Sequence, residues 1–254
     1  MMTCPIRQLR VKMPHRPWTS AQIPGPLRAS MRAALRGPPS ADSSAARQSP
    51  RAAGRKPPTE FLDHLLDKAF DAFAERGYEG ASMRQIAGEA GTTIQRIAYH
   101  FSSKEDLWKA VLRRVVLRFN ERRRVLREQL GEVSASVRLQ HLITDMVYFL
   151  AESPGIHRIM TWEASRPSAR LDWLCNNFLT ALVRESVAII EAAQREGTVM
   201  RVDPARLHYA ILSICAVPFT ISAEFEATTG HDPFAPEEIA KTVDFILALV
   251  FVRP

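Results

Sequence analysis

The sequence predicts an all-α protein with a small three-helix head and a larger helical body. Three observations carry this. Apolar residues recur at three- and four-residue spacing along most of the chain after residue 58, the period of one helix face. No stretch shows the two-residue alternation of a strand. Between Met83 and Trp108, "MRQIAGEAGTTIQRIAYHFSSKEDLW" places two short helical patterns on either side of an Ala-Gly corner.

Composition sets the limits. The chain has 254 residues, of which 46% are hydrophobic, enough for a substantial core. The formal charge of +7 is unevenly placed. Residues 1–58 hold eleven basic residues and one acid, Asp42, whereas the remainder holds twenty-three basic and twenty-six acidic residues. The basic character is therefore a property of the leading segment and says little about the body. Cys4, Cys175 and Cys215 have neither disulfide nor metal spacing, a pattern that fits a reducing cytosol. The longest apolar run, Tyr209–Ile221, is shorter than the ~20 residues a membrane span needs and contains Pro218. The expectation is a cytoplasmic protein with no membrane partner.

Residues 1–58 carry ten of the 17 prolines, with Arg, Ala and Ser between them. Such a segment cannot bury enough apolar surface to offset its ordering entropy, and disorder is predicted for it. Two readings stay open: an inert or mis-assigned leader, and a basic arm that adds non-specific attraction to nucleic acid. In the second, Arg55 and Lys56 lie where they can reach a minor groove.

From Thr59 the helices follow in order. Phe61, Leu62, Leu65, Leu66, Ala69, Phe70 and Phe73 mark the face of the first. Thr59 is its expected cap, Pro57 and Pro58 block extension backwards, and Gly77 stops it. Ser82 opens the second helix in a capping box with Gln85, and Ile86, Ala87 and Ala90 turn inward. Gly91 makes the corner. "TTIQRIAYHF" is the third helix, anchored by Ile97 and Phe101. Ser102 or Ser103 caps a long fourth helix, with Leu107, Val111 (or Ala110), Val115 and Leu117 on its apolar face. Then come "SVRLQHLITDMVYFLAES", ending before Pro154, and the short "IHRIMTWEASR". "SARLDWLCNNFLTALVRESVAIIEAAQREG" is read as one helix stopped by Gly197. "DPARLHYAILSICAVPFTISAEFEATTG" is read as one helix capped by Asp203, and "PEEIAKTVDFILALVF" is the last. The expected total is about nine helices.

Two short helices joined at a glycine corner fit a helix-turn-helix, whose second helix enters a major groove about 12 Å wide. The outward residues would be Thr92, Thr93, Ile94, Gln95, Arg96, Tyr99 and His100. Arg96 and Gln95 have forks that match guanine and adenine edges, and Ile94 can press on a thymine methyl. Tyr99, His100 and Lys104 can reach phosphates, as can Ser82, Arg84 and Gln85 at the start of the preceding helix. Spacing alone equally allows a helical hairpin with a solvated polar face.

The stretches "AFDAFAERGYEGASMRQIAGEAG", "YHF" and "SKEDL" lift that ambiguity. Residues 59–110 resemble the DNA-binding domain of the tetracycline-repressor (TetR) family, over about a fifth of the chain. The helical remainder, with "GHDPFAPEEI" before its last helix, is more loosely similar to that family's regulatory domain. The resemblance implies a reading head over 59–118 and an effector-binding and dimerisation domain over 119–254. It implies a regulator of transcription, most often a repressor, released from operator DNA by a small molecule. This chain departs from the family at Ala98, where an aromatic residue is usual, and at Thr92, where an aliphatic one is usual.

The resemblance also places candidate effector residues: Met146, Phe149, Trp162, Glu163, Trp173, Asn177 and Phe178, which combine aromatic walls with polar groups. The last two helices would form a homodimer through Ala210, Ser213, Ile214, Val217, Ile246 and Leu249. "RFNERRRVLRE" reads as the solvated face of the long helix. His141, His157, His208 and His231 are scattered without metal-ligand spacing. No phosphate loop, nucleophile elbow or carboxylate pair stands out. Neither catalysis nor a cofactor is therefore expected. The rival reading is a helical dimeric interaction module without specific DNA binding.

Overall fold

The computed structural model describes residues 58–252, so the leading segment, with Arg55 and Lys56, lies outside the described residues. Residues from Phe61 onward group as one unit. The first helix, α1 (Pro58–Gly80), begins one residue ahead of the expected Thr59 cap. Proline is tolerated there because a first-turn amide has no intrahelical partner anyway. Gly77 breaks the helix as expected, at φ 66° and ψ 176°, but a last turn follows it to Gly80. Helix α2 (Met83–Glu89) is capped by Ser82, whose Oγ accepts from the Gln85 amide at 3.2 Å. Gly91 takes φ 60° at the corner. Helix α3 (Ile94–His100) is capped by Thr93, which accepts from the Arg96 amide at 3.2 Å.

Helix α4 (Lys104–Leu130) is capped by Ser103 rather than Ser102 and runs unbroken through the boundary expected at residue 118. Leu65, Leu66 and Phe73 of α1 are fully buried, as are Leu107, Trp108, Val111 and Leu112 of α4. Arg114 of α4 donates to the Asp63 carbonyl at 2.9 Å and pairs with Asp67. The reading head and the start of the long helix thus share one core.

The body comprises α5 (Ala135–Glu152), α6 (Pro154–Ala164), α7 (Ala169–Leu174), α8 (Thr180–Arg195), α9 (Pro204–Thr220), α10 (Ser222–Thr229) and α11 (Pro236–Val250). Helix α5 is its axis, packed by α8, α9 and α11. Leu139, Ile143 and Val147, spaced by four, are fully buried. Glu196, just past α8, accepts from the first amides of α5, Ala135 at 2.8 Å and Ser136 at 3.0 Å. An antiparallel bridge between Val199 and Phe251 ties the end of the chain to the α8–α9 loop.

The described residues form eleven α-helices and one π-helical turn, more than the nine expected, because two long helices are interrupted. The helix expected from Ser168 contains a π turn, Cys175–Leu179, in which the Thr180 amide donates to the Cys175 carbonyl. One inserted residue rotates the following face without changing its hydrophobic period, so the pattern is silent about it. The helix expected from Asp203 bends by 77° at Ile221. Pro218 has no amide for the carbonyl one turn back, and the helix ends two residues later. No single described helix is long and apolar enough to cross a membrane.

Candidate functional site

Helix α3 is held by buried anchors on one side and presents polar groups on the other. Ile97 and Phe101 are buried, as are Ile86, Ala87 and Ala90 of α2. Thr93, Ile94 and Gln95 at its start are exposed, and Tyr99 is 85% exposed. Ser82, Arg84 and Gln85 are exposed on the adjoining start of α2. These residues lie at the starts of two short helices that pack on each other, and a major groove admits one such helix.

Four of the sequence-predicted contact residues, Arg96, His100, Lys104 and Thr92, are half-buried. The Arg96 guanidinium lies 3.5 Å from the centroid of the Phe61 ring on α1 and is half-buried. His100 is half-buried beside the same ring at 5.7 Å, and its burial, with Arg96 next to it, holds the imidazole below its ordinary pKa. Lys104 donates to the carbonyls of Tyr78 at 2.8 Å and Ala81 at 3.1 Å, and its ammonium sits 4.3 Å from the Tyr78 ring. These carbonyls follow the Gly77 break and have lost their helical donors, so the lysine closes the end of α1. Thr92 is half-buried at the corner, and among the described residues its Oγ1 is buried without a hydrogen-bond partner. A hydroxyl there costs the turn stability that an aliphatic side chain would supply.

The body touches the head through α6 and α7. On α6, Gly155 packs so closely on α1 that a Cβ would lie 2.8 Å from the Ala74 Cβ and 2.9 Å from Phe70. On α7, Arg170 lies 3.9 Å from the Tyr78 ring centroid and donates to Glu163 at 2.9 Å and to Glu79 at 3.2 Å. Tyr78 also meets Trp108 edge-on at 6.1 Å, and Trp108 meets Trp173 at 5.8 Å. The aromatic chain continues to Phe178 at 5.2 Å.

The expected effector residues lie in different surroundings. Trp162 is 60% exposed and covers Gly77, with ring atoms 3.4 Å from where a Cβ would stand. Glu163 is buried as the partner of Arg170, and Asn177 donates to the Trp173 carbonyl at 2.7 Å. Trp173 and Phe178 belong to the aromatic chain behind α4. Met146 is half-buried, and Phe149 packs on Phe119 at 4.8 Å. None of the seven lines the cavity of about 550 Å³ between α4, α5 and α8, whose lining includes Phe119, Arg123, Arg127, Leu142, Glu185 and Ile189. Sequence reasoning missed this cavity because "RFNERRRVLRE" reads as a solvated face. Arg123 is buried instead, and Arg122 pairs with the buried Asp145 and, at 2.8 Å, with Glu152. The available signal was Asp145, an acid on the inner face of an apolar helix, which demands a cation.

Of the expected interface residues, Ala210, Ser213 and Val217 are exposed on α9, and Ile214 is half-buried. Leu249 is 47% exposed on α11, but Ile246 is fully buried in its own chain. Ile246 is therefore core, set with Val243 and Val250 on the inner face of α11. Helix α11 is apolar on two faces, and the outer one belongs to Phe245, 59% exposed, together with Leu249. Tyr209 and Ile221 extend the exposed stripe of α9 at four-residue spacing. Among the described residues, no cluster of His, Cys, Asp and Glu is placed to hold a metal ion.

Known proteins share this layout. Residues 65–111 match the family model for bacterial regulatory proteins of the tetR family, and residues 136–250 match a tetracyclin repressor-like C-terminal domain. The HTH-type transcriptional regulator RutR of Escherichia coli (strain K12) is 26% identical over 166 residues, covering 65% of this chain and 77% of RutR. The HTH-type transcriptional repressor AcnR of Corynebacterium glutamicum is 40% identical over 70 residues, 28% of this chain and 37% of AcnR. Among solved structures, HlyIIR, a hemolysin II transcriptional regulator, superposes with a TM-score of 0.60 at 22% identity, covering 77% of this chain and 99% of its own. AibR in complex with isovaleryl coenzyme A and operator DNA superposes at 0.62 with 19% identity, covering 75% and 98%.

Proposed function

The chain belongs to the TetR family of DNA-binding transcriptional regulators, and from that premise we propose that it is a cytoplasmic, homodimeric repressor released from its operator by a small molecule. The observation that carries the DNA-reading part is the outer surface of α3. Thr93, Ile94, Gln95 and Tyr99 face outward from a helix whose other side is locked by Ile97 and Phe101. Gln95 reads a base edge, Ile94 packs on a thymine methyl, and Tyr99 with Arg84 engages phosphates. Arg96, His100 and Lys104 brace the head from within.

A two-fold dimer follows from the exposed apolar stripes of α9 and α11, with Val217, Phe245 and Leu249 at its centre. Two heads then sit roughly 34–36 Å apart, one duplex turn. AibR, bound to both an acyl coenzyme A and operator DNA, supports an effector for this chain as well. Helix α4 carries the head at one end and lines the body's cavity at the other. Gly155 and Arg170 transmit movement of α6 and α7 to α1. An effector with unequal affinity for two head spacings shifts their populations, and equal affinity would shift nothing.

The test is capture of genomic fragments by the purified full-length protein, followed by footprinting. A discrete protected site with two-fold symmetry is expected. Protection that follows salt alone, without sequence preference, would favour the interaction-module reading.

A further inference from the structure

The cavity between α4, α5 and α8 has a volume of about 550 Å³, within the ~300–1,000 Å³ of small-molecule sites. Its walls are largely apolar, including Phe119, Leu126, Leu142 and Ile189. Its charges are unevenly matched. Arg123 and Arg127 on α4 share a single carboxylate, Glu185 on α8, at 2.9 and 3.3 Å. Of the other acids of the lining, Asp145 is paired with Arg122 and acts on Arg123 only through space, and the surface residue Glu132 lies 3.7 Å from Arg138. Arg123 is buried, 5.5 Å from the Phe119 ring centroid, and burial pushes its pKa down in spite of Glu185. Two guanidinium forks thus converge on one half-exposed carboxylate at the mouth of an apolar hollow, with donors to spare.

We propose that this cavity binds an amphipathic anion, with a carboxylate or phosphate head on Arg123 and Arg127 and an apolar body against Phe119, Leu126, Leu142 and Ile189. Glu185 is the occupant that the head displaces. Displacement breaks the ion pairs that tie α8 to α4, the helix that carries the reading head. The inference rests on the regulatory reading only in treating the ligand as an effector; binding itself needs no DNA.

Calorimetric titration of the full-length protein with decanoate, decyl phosphate, decanol and decyltrimethylammonium, each below its micelle-forming concentration, tests it. At least one of the two anions saturates one site per chain, and which binds tighter identifies the head as carboxylate or phosphate. Decanol binds at least about tenfold more weakly, the loss expected for a charged hydrogen bond, and the cation does not bind. Glu185→Gln tightens anion binding, because the internal competitor has lost its charge. Arg123→Gln with Arg127→Gln removes the advantage of the anions over decanol, and Ala188→Trp fills the cavity and weakens all three. Circular dichroism confirms that each variant is folded. Equal binding of decanoate, decyl phosphate and decanol to the unaltered protein, or no binding of any, would overturn the proposal. So would anion binding indifferent to Glu185→Gln. Saturable anion binding that leaves operator affinity unchanged would support the site and count against the effector role.

Discussion

The Arg170 guanidinium lies 3.9 Å from the centroid of the Tyr78 ring and, at the same time, bonds the buried Glu163. One side chain of α7 therefore joins the body to the segment that ends α1. Arg170→Ala leaves Glu163 buried without its partner and should destabilise the protein by about 1–3 kcal/mol, read from urea unfolding. Arg170→Lys should recover little of it, since an ammonium cannot both stack on the ring and fork between two carboxylates. Full stability in the lysine variant would reduce the contact to simple charge pairing.

Gly77 adopts φ 66° and ψ 176°, a region essentially closed to other residues, with the Trp162 ring against it. Gly77→Ala should cost about 1–3 kcal/mol and disturb the end of α1 that Lys104 closes. Thermal unfolding of the alanine variant checks this, and an unchanged midpoint would mean that the break is dispensable.

On the reading surface, Gln95 and Arg96 are neighbours with different surroundings. Gln95→Ala should cost about 1–3 kcal/mol on the preferred operator and relax preference at one base pair per half-site. Arg96→Ala should weaken specific and random DNA alike, because its guanidinium packs on Phe61 and supports the head. Anisotropy titrations with operator and scrambled duplexes separate the two. Loss of base preference in the Arg96 variant alone would place that side chain in the groove.

The two faces of α11 make a paired prediction. Phe245→Glu should give a folded monomer, whereas Ile246→Glu should lose folded structure altogether, because Ile246 is fully enclosed in its own chain. Sedimentation with parallel circular dichroism distinguishes them. A folded dimer in the Phe245 variant would put the interface elsewhere.

Acid should act on the start of α5. Glu196 accepts from two of its amides and from the Ser136 hydroxyl, and these bonds hold the carboxyl below the ordinary glutamate range. A depressed carboxylate contributes its stability fully above the unfolded value and loses it as pH falls through the folded one. Glu196→Gln should therefore flatten the decline of the melting temperature below the ordinary glutamate pKa of about 4.3.

The head was legible in the sequence because its signals are local. Ser82, Thr93 and Ser103 cap within three residues of themselves, and Gly91 turns where it stands. What escaped depends on distant partners. Lys104 and Arg96 look like free cations until the carbonyl of Tyr78 and the ring of Phe61 arrive from α1. Arg123 looks solvated until α8 brings Glu185 to it. Ile246 and Leu249 are equally apolar and three residues apart, so only packing against α5 decides which one turns inward.

Enrichment of a random duplex pool by the full-length protein, sequenced after several rounds at fixed salt, tests the central claim most directly. The account predicts a two-fold symmetric sequence whose half-sites lie about one duplex turn apart, bound at least ~10³-fold more tightly than the starting pool. A pool that stays unenriched, while binding weakens with salt as for any polyanion, would contradict it.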